Sequence, residues 1–115
     1  MNRIVRALQF SFDGISWAAR WETSVRHEIF VLAAAVPLGL LLAANVWQLL
    51  ALVGVIVLVL IVELLNTAIE KLADRVSRQR DPAIKAVKDM GSAAVFLTLV
   101  LAGLVWLVIL LQYRT

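Results

Sequence analysis

Residues 49–75 read LLALVGVIVLVLIVELLNTAIEKLADR, an uncharged apolar run that ends on Glu63. No Asp, Glu, Lys or Arg occurs from position 29 to position 62. On a helix, Glu63, Asn66 and Glu70 stand at i, i+3 and i+7 and share one face. The outer two lie about 10 Å apart along the axis. Ionisable groups at membrane depth are costly and rare, and most have a function. Two carboxylates with an amide between them suit the binding of a divalent cation, the abstraction of a proton, or both.

Composition sets the solvent. The chain has 115 residues, 63% hydrophobic and 17% charged, with a mean hydropathy of +0.93. So small a soluble domain could not hide that much apolar surface, so the expected class is an all-α integral membrane protein, a single domain over 1–115. The lack of Cys excludes a disulfide framework, thiolate metal sites and a cysteine nucleophile, and His27 is the single histidine. The amphipathic start MNRIVRALQFSFDG lacks the compact apolar core of a signal peptide. A net charge of +3, mostly Arg and unevenly placed, suits anionic lipid headgroups and argues against a nucleic-acid partner.

The run 29–62 is too long for one span of about 20 residues. It divides near Ala44–Asn45–Val46–Trp47, where Asn turns the chain and Trp anchors it at an interface. The spans expected are 28–44, 47–77 with a water-exposed extension, and 89–112. Pro37 and Gly39 fall mid-span in the first, which membrane helices tolerate. Gly91, Ser92, Ala93 and Ala94 give the third a small-faced start that admits a neighbouring helix closely. Residues 2–27 form an amphipathic surface helix, or two joined near Gly14. Ile4, Leu8, Phe12, Ile15 and Ala19 make its apolar stripe, and Trp17 and Trp21 suit the headgroup layer. Arg75, Arg78, Arg80, Lys85 and Lys88 share one loop region, and Arg3, Arg6, Arg20 and Arg26 lie near the N-terminus. The positive-inside rule therefore places the N-terminus and the 75–88 loop in the cytoplasm and the C-terminus outside, with Arg114 an exception.

Each candidate has a plainer reading. Glu63 could simply mark where a helix leaves the membrane, and Glu70 and Asp74 could belong to a solvated stripe. Lys88 suits the flank of a span and Asp89 the start of a helix, or else a phosphate clamp and an orienting carboxylate. Glu22, Glu28 and His27 each read singly as interfacial residues. There is no P-loop, dinucleotide fingerprint or protein-kinase signature. Any nucleotide must be held by carboxylate-bound Mg²⁺ and scattered basic groups.

ELLNTAIEKLADRVS, followed after a polar loop by KAVKDMGSAAV, closely resembles the signature of the bacterial diacylglycerol kinase family, small integral-membrane lipid kinases that include undecaprenol kinases. The similarity extends upstream through Ser11, Gly14 and Ile15, and through Glu22, Arg26 and Glu28. The resemblance implies a surface helix plus three membrane helices in a homotrimer, with sites shared between subunits of a multi-pass protein of the bacterial inner membrane. It implies that Glu63 is the general base, that Glu22 and Glu70 hold Mg²⁺, and that Asn66 orients the group. Arg3, Phe10, Lys88 and Asp89, with Glu22 and Glu70, would bind ATP; Ser11, Glu28, Ser92 and Trp106 would line the lipid site. Phe10 replaces a common Tyr, and Asp81 stands where a His is frequent. DMGSAAV is similar to the diacylglycerol-using branch, so the function implied is phosphorylation of diacylglycerol to phosphatidic acid, with undecaprenol as the alternative lipid. A small proton-coupled transporter or a passive assembly subunit are the readings from other classes.

Overall fold

Short polar interruptions divide the apolar sequence into helices. The computed structural model describes residues 2–77 and 81–113, and these form α1 (Asn2–Trp21), α2 (Thr23–Leu42), α3 (Val46–Val76) and α4 (Pro82–Tyr113). The last three are long and apolar enough to cross a membrane, with mean hydropathies of 1.7, 2.8 and 2.9 over their most apolar stretches. The chain is thus the expected all-helical membrane protein, an amphipathic helix followed by three spans. Arg78 and Arg80 in the basic loop, and Arg114, lie outside the described residues.

At the α2–α3 turn, the Asn45 side chain accepts from the backbone N–H of Gln48 at 2.9 Å and caps α3. The Gln48 side chain accepts in turn from the Ala44 N–H at 2.9 Å and donates to Gln112 at 3.2 Å, tying the turn to the end of α4. Asn45→Ala is expected to cost about 1 kcal/mol, the usual value of a helix cap, measurable as an earlier unfolding midpoint on SDS titration in micelles.

The other boundaries differ from expectation. α4 starts at Pro82, well before position 89. Asp81 accepts from the Ala83 N–H at 2.8 Å, and Pro82 occupies the first helical position, where its missing N–H costs nothing. These signals nucleate the helix in water, ahead of the apolar run. α1 passes straight through Gly14 and stops at Trp21, short of residue 27. The reason is Arg26, whose guanidinium donates to the Ala19 and Arg20 carbonyls at 3.1 and 3.0 Å and to the Thr23 hydroxyl at 3.3 Å. A cation from the next helix thereby satisfies carbonyls left over at the end of α1. Glu22 takes an extended conformation between the two helices.

α3 is the central element, antiparallel to both α2 and α4. Gln48 meets Gln112, the Trp106 indole N–H donates to the Leu52 carbonyl at 3.0 Å, Asn66 meets Gly91, and Asp74 meets Lys88. These pairs keep one register along the whole α3–α4 contact. Against α2, a side chain at Gly39 would come within 3.3 Å of Leu49 and 3.4 Å of Val53, so glycine permits the close approach. The core is narrow: Ala35, Ile56, Val59 and Ala102, with Leu32, Val55 and Trp106 against it. Phe30, Leu40, Leu41, Phe96, Leu97 and Leu111 point outward and are exposed, as side chains solvated by lipid are.

Candidate active site

The α3 helix carries its charged residues to one end of the bundle. From Val46 at the far turn to Glu63 is about 26 Å of helix, against a hydrocarbon core of about 30 Å. A helix that enters the hydrocarbon at Val46 would thus bring Glu63 close to the opposite boundary. The side chains buried there are Glu63, Asn66 and Thr67, at 9%, 9% and 6% exposure. Their i, i+3, i+4 spacing faces the bundle interior, whereas Glu70 two turns on is exposed. Thr67 was not singled out from sequence, although its place one turn beyond Glu63 puts it on the same face.

Three helices meet at this level. The antiparallel register that sets Gly39 of α2 against Val53, and Ala35 with Ile56, brings Glu28 to the level of Glu63. On α4, Gly91 is buried against the Asn66 amide, and a methyl group at Gly91 would overlap Asn66 Oδ1. That oxygen is buried and has no hydrogen-bond partner among the described residues. An unpaired buried acceptor typically costs about 1–3 kcal/mol, and such groups in native proteins call for an explanation. Ser92 follows Gly91 but is exposed.

One level closer to water, Glu22 reaches from the α1–α2 junction to α3. Its carboxylate makes no cap hydrogen bond and instead pairs with Lys71 at 2.9 Å, the residue after Glu70. Lys71 also lies 5.7 Å from the centre of the Trp17 ring. Further out, Lys88 is paired with Asp74 at 2.5 Å and Lys85 with Asp89 at 2.6 Å, exposed pairs of small energetic weight. No group of three or more acidic or histidine side chains converges among the described residues.

The remaining candidates are more dispersed. Ser11 donates to the Ala7 carbonyl at 2.9 Å and shares a groove of about 410 Å³ between α1 and α3 with Trp17, Thr67 and Lys71. Arg3 and Phe10 line a groove formed by α1 alone. Trp106 stands apart: it is about 21 Å along α4 from Ser92, in an apolar groove with Val31, Ala34 and Leu38.

The sequence runs from lipid depth to water as buried carboxylate and amide, then carboxylate and ammonium, then exposed cations. Such a ladder on three spans is that of a membrane protein with a polar site at one end of its bundle. The model of the family described as prokaryotic diacylglycerol kinase matches residues 9–110. The diacylglycerol kinase of Pseudomonas aeruginosa is 40% identical over 111 residues, 96% of this chain and 90% of that one. Those of Haemophilus influenzae and Escherichia coli are each 33% identical, over 106 and 109 residues; they cover 92% and 95% of this chain and 90% and 89% of their own. The chain belongs to the prokaryotic diacylglycerol kinase family, the one indicated by ELLNTAIEKLADRVS and KAVKDMGSAAV, and is a membrane-bound lipid kinase.

Proposed function

We propose that this enzyme transfers the γ-phosphoryl group of ATP to the free hydroxyl of 1,2-diacylglycerol, giving phosphatidic acid and ADP at the cytoplasmic face of the bacterial inner membrane. The observation that carries this reading is the buried Glu63–Asn66 pair at the end of an otherwise uncharged span. A carboxylate at that depth can meet the hydroxyl of a lipid without drawing it out of the bilayer.

Glu63 accepts the hydroxyl proton as the lipid oxygen attacks the γ-phosphorus, and the bond from that phosphorus to the ADP oxygen breaks. Asn66, held by Gly91, orients the reacting groups. Phosphoryl transfer depends chiefly on alignment and charge neutralisation, so few protein groups are needed. Lys88 and Asp89, with Arg3 and Phe10, contact the nucleotide; Ser11, Glu28 and Ser92 contact the lipid headgroup, and Trp106 its apolar part.

Glu22 and Glu70 are the residues that would hold Mg²⁺. The fit rests on the Glu22 carboxylate, which is free of capping and already has a cation beside it. Mg²⁺ commonly takes one or two carboxylates, with phosphate oxygens and water completing its shell. When bound it would neutralise the triphosphate. A homotrimer belongs to the same proposal: Arg3 and Phe10 share a groove formed by α1 alone, and a neighbouring subunit would bring nucleotide contacts together.

The test is transfer of labelled γ-phosphate to diacylglycerol and, separately, to undecaprenol by the purified protein in mixed micelles. Labelled phosphatidic acid as the main product is the expected result. Preference for the polyprenol would replace the proposed substrate, and labelling of neither by folded protein would overturn the reaction.

A further inference from the structure

Among the described residues, Lys71 is the α3 cation paired with the Glu22 carboxylate at the acidic level of the site. Its ammonium is 2.9 Å from Glu22 and lies over Trp17, and the residue lines the α1–α3 groove. The Lys71 side chain is 55% exposed and that of Glu22 is 21% exposed. The carboxylate is therefore the fixed partner and the lysine the movable one, on a flexible four-carbon stem. An exposed pair of this kind is weak enough to exchange.

We propose that Lys71 is the resident cation of the Glu22 carboxylate and competes with the divalent ion for it, so that this side chain sets the metal affinity of the site. The inference rests on the reading of Glu22 as a metal ligand. One carboxylate oxygen cannot keep an ammonium at 2.9 Å and also bind a divalent ion without placing two cations in near contact. That repulsion is felt even at the high effective dielectric of a protein surface. Metal binding must therefore work against the Lys71 charge, and removing that charge must favour the metal. Until metal arrives, the ammonium neutralises the Glu22 carboxylate.

The test uses the full-length protein in neutral detergent and Mn²⁺ as the probe, with free Mn²⁺ read by electron paramagnetic resonance. Lys71→Met keeps the stem over Trp17 without the charge and is expected to bind Mn²⁺ about three- to tenfold more tightly. Lys71→Arg retains the charge and is expected to stay near the wild-type affinity. Unchanged or weaker binding in Lys71→Met would overturn the proposal, as would equal tightening in Lys71→Arg. Glu22→Gln separates the two readings. If it binds Mn²⁺ like the wild type, Glu22 is no ligand and both readings fall. If it binds weakly while Lys71→Met is unchanged, only the role of Lys71 falls.

Discussion

Glu63→Gln is expected to lower kcat for lipid phosphorylation by about 10²–10⁴-fold, the usual contribution of a positioned general base, and to leave the fold as stable as before or more so. The two effects have one cause. Glu63 is buried to 9% exposure, and burying a charge costs stability unless it is paired. Gln has nearly the same volume and keeps the capacity to hydrogen-bond, but it cannot accept a proton at neutral pH. The mutation therefore removes the buried charge together with the base. Nucleotide contacts are assigned to other residues, so KM for ATP should hold while kcat falls; an interaction lost only in the transition state gives that split. Steady-state kinetics in mixed micelles, paired with SDS-induced unfolding followed by circular dichroism, would check both halves. A kcat within about tenfold of wild type would leave Glu63 without its assigned role. A large loss of stability would show instead that the carboxylate holds the bundle together.

Features legible in the sequence are those set by local chemistry. The charge-free run from 29 to 62 and the second one from 90 to 113 define the spans, because lipid tolerates few alternatives. Asn45 and its turn follow from side-chain chemistry within four residues. The Glu63–Asn66 face follows from helical period alone, and the structure buries these two residues. Missed features depend on partners distant in sequence or in another helix. Arg26 ends α1 by reaching back across the junction to Ala19 and Arg20, and nothing in the pattern of 2–27 marks Glu22 as the break. Lys71 reads as a surface cation until α1 is folded back and brings Glu22 to it. Asp81 and Pro82 are a readable start signal that lies ahead of the apolar run. Gly91 was legible as small, but its specific neighbour, the Asn66 amide, required the α3–α4 register.

That register makes Gly91 the most sensitive position in the site that bears no functional group. Gly91→Ala is expected to destabilise the protein by about 1–3 kcal/mol, the usual range for overpacking, and to abolish most of the kinase activity. A methyl group there would overlap Asn66 Oδ1 and lie 3.3 Å from its Cγ. The asparagine is a short side chain on a buried helix face, with little freedom to retreat. Either its amide rotates away from the position beside Glu63, or α3 and α4 separate along their contact. Both outcomes misplace the base, and a displacement of about 1 Å can cost about a hundredfold in rate. Gly103→Ala is the control: a side chain at Gly103 meets nothing within 4 Å, and alanine is the better helix former, so stability should hold or rise. The double variant Gly91→Ala with Asn66→Ala then tests the cause. If the overlap is responsible, removing the amide should restore much of the stability, a non-additivity expected of residues in contact. Activity should stay low, because the orienting amide is gone. Recovery of the fold without recovery of the reaction would assign Gly91 to the placement of Asn66. Full activity in Gly91→Ala alone would mean that the α3–α4 contact relaxes around the methyl group and that Asn66 needs no such support.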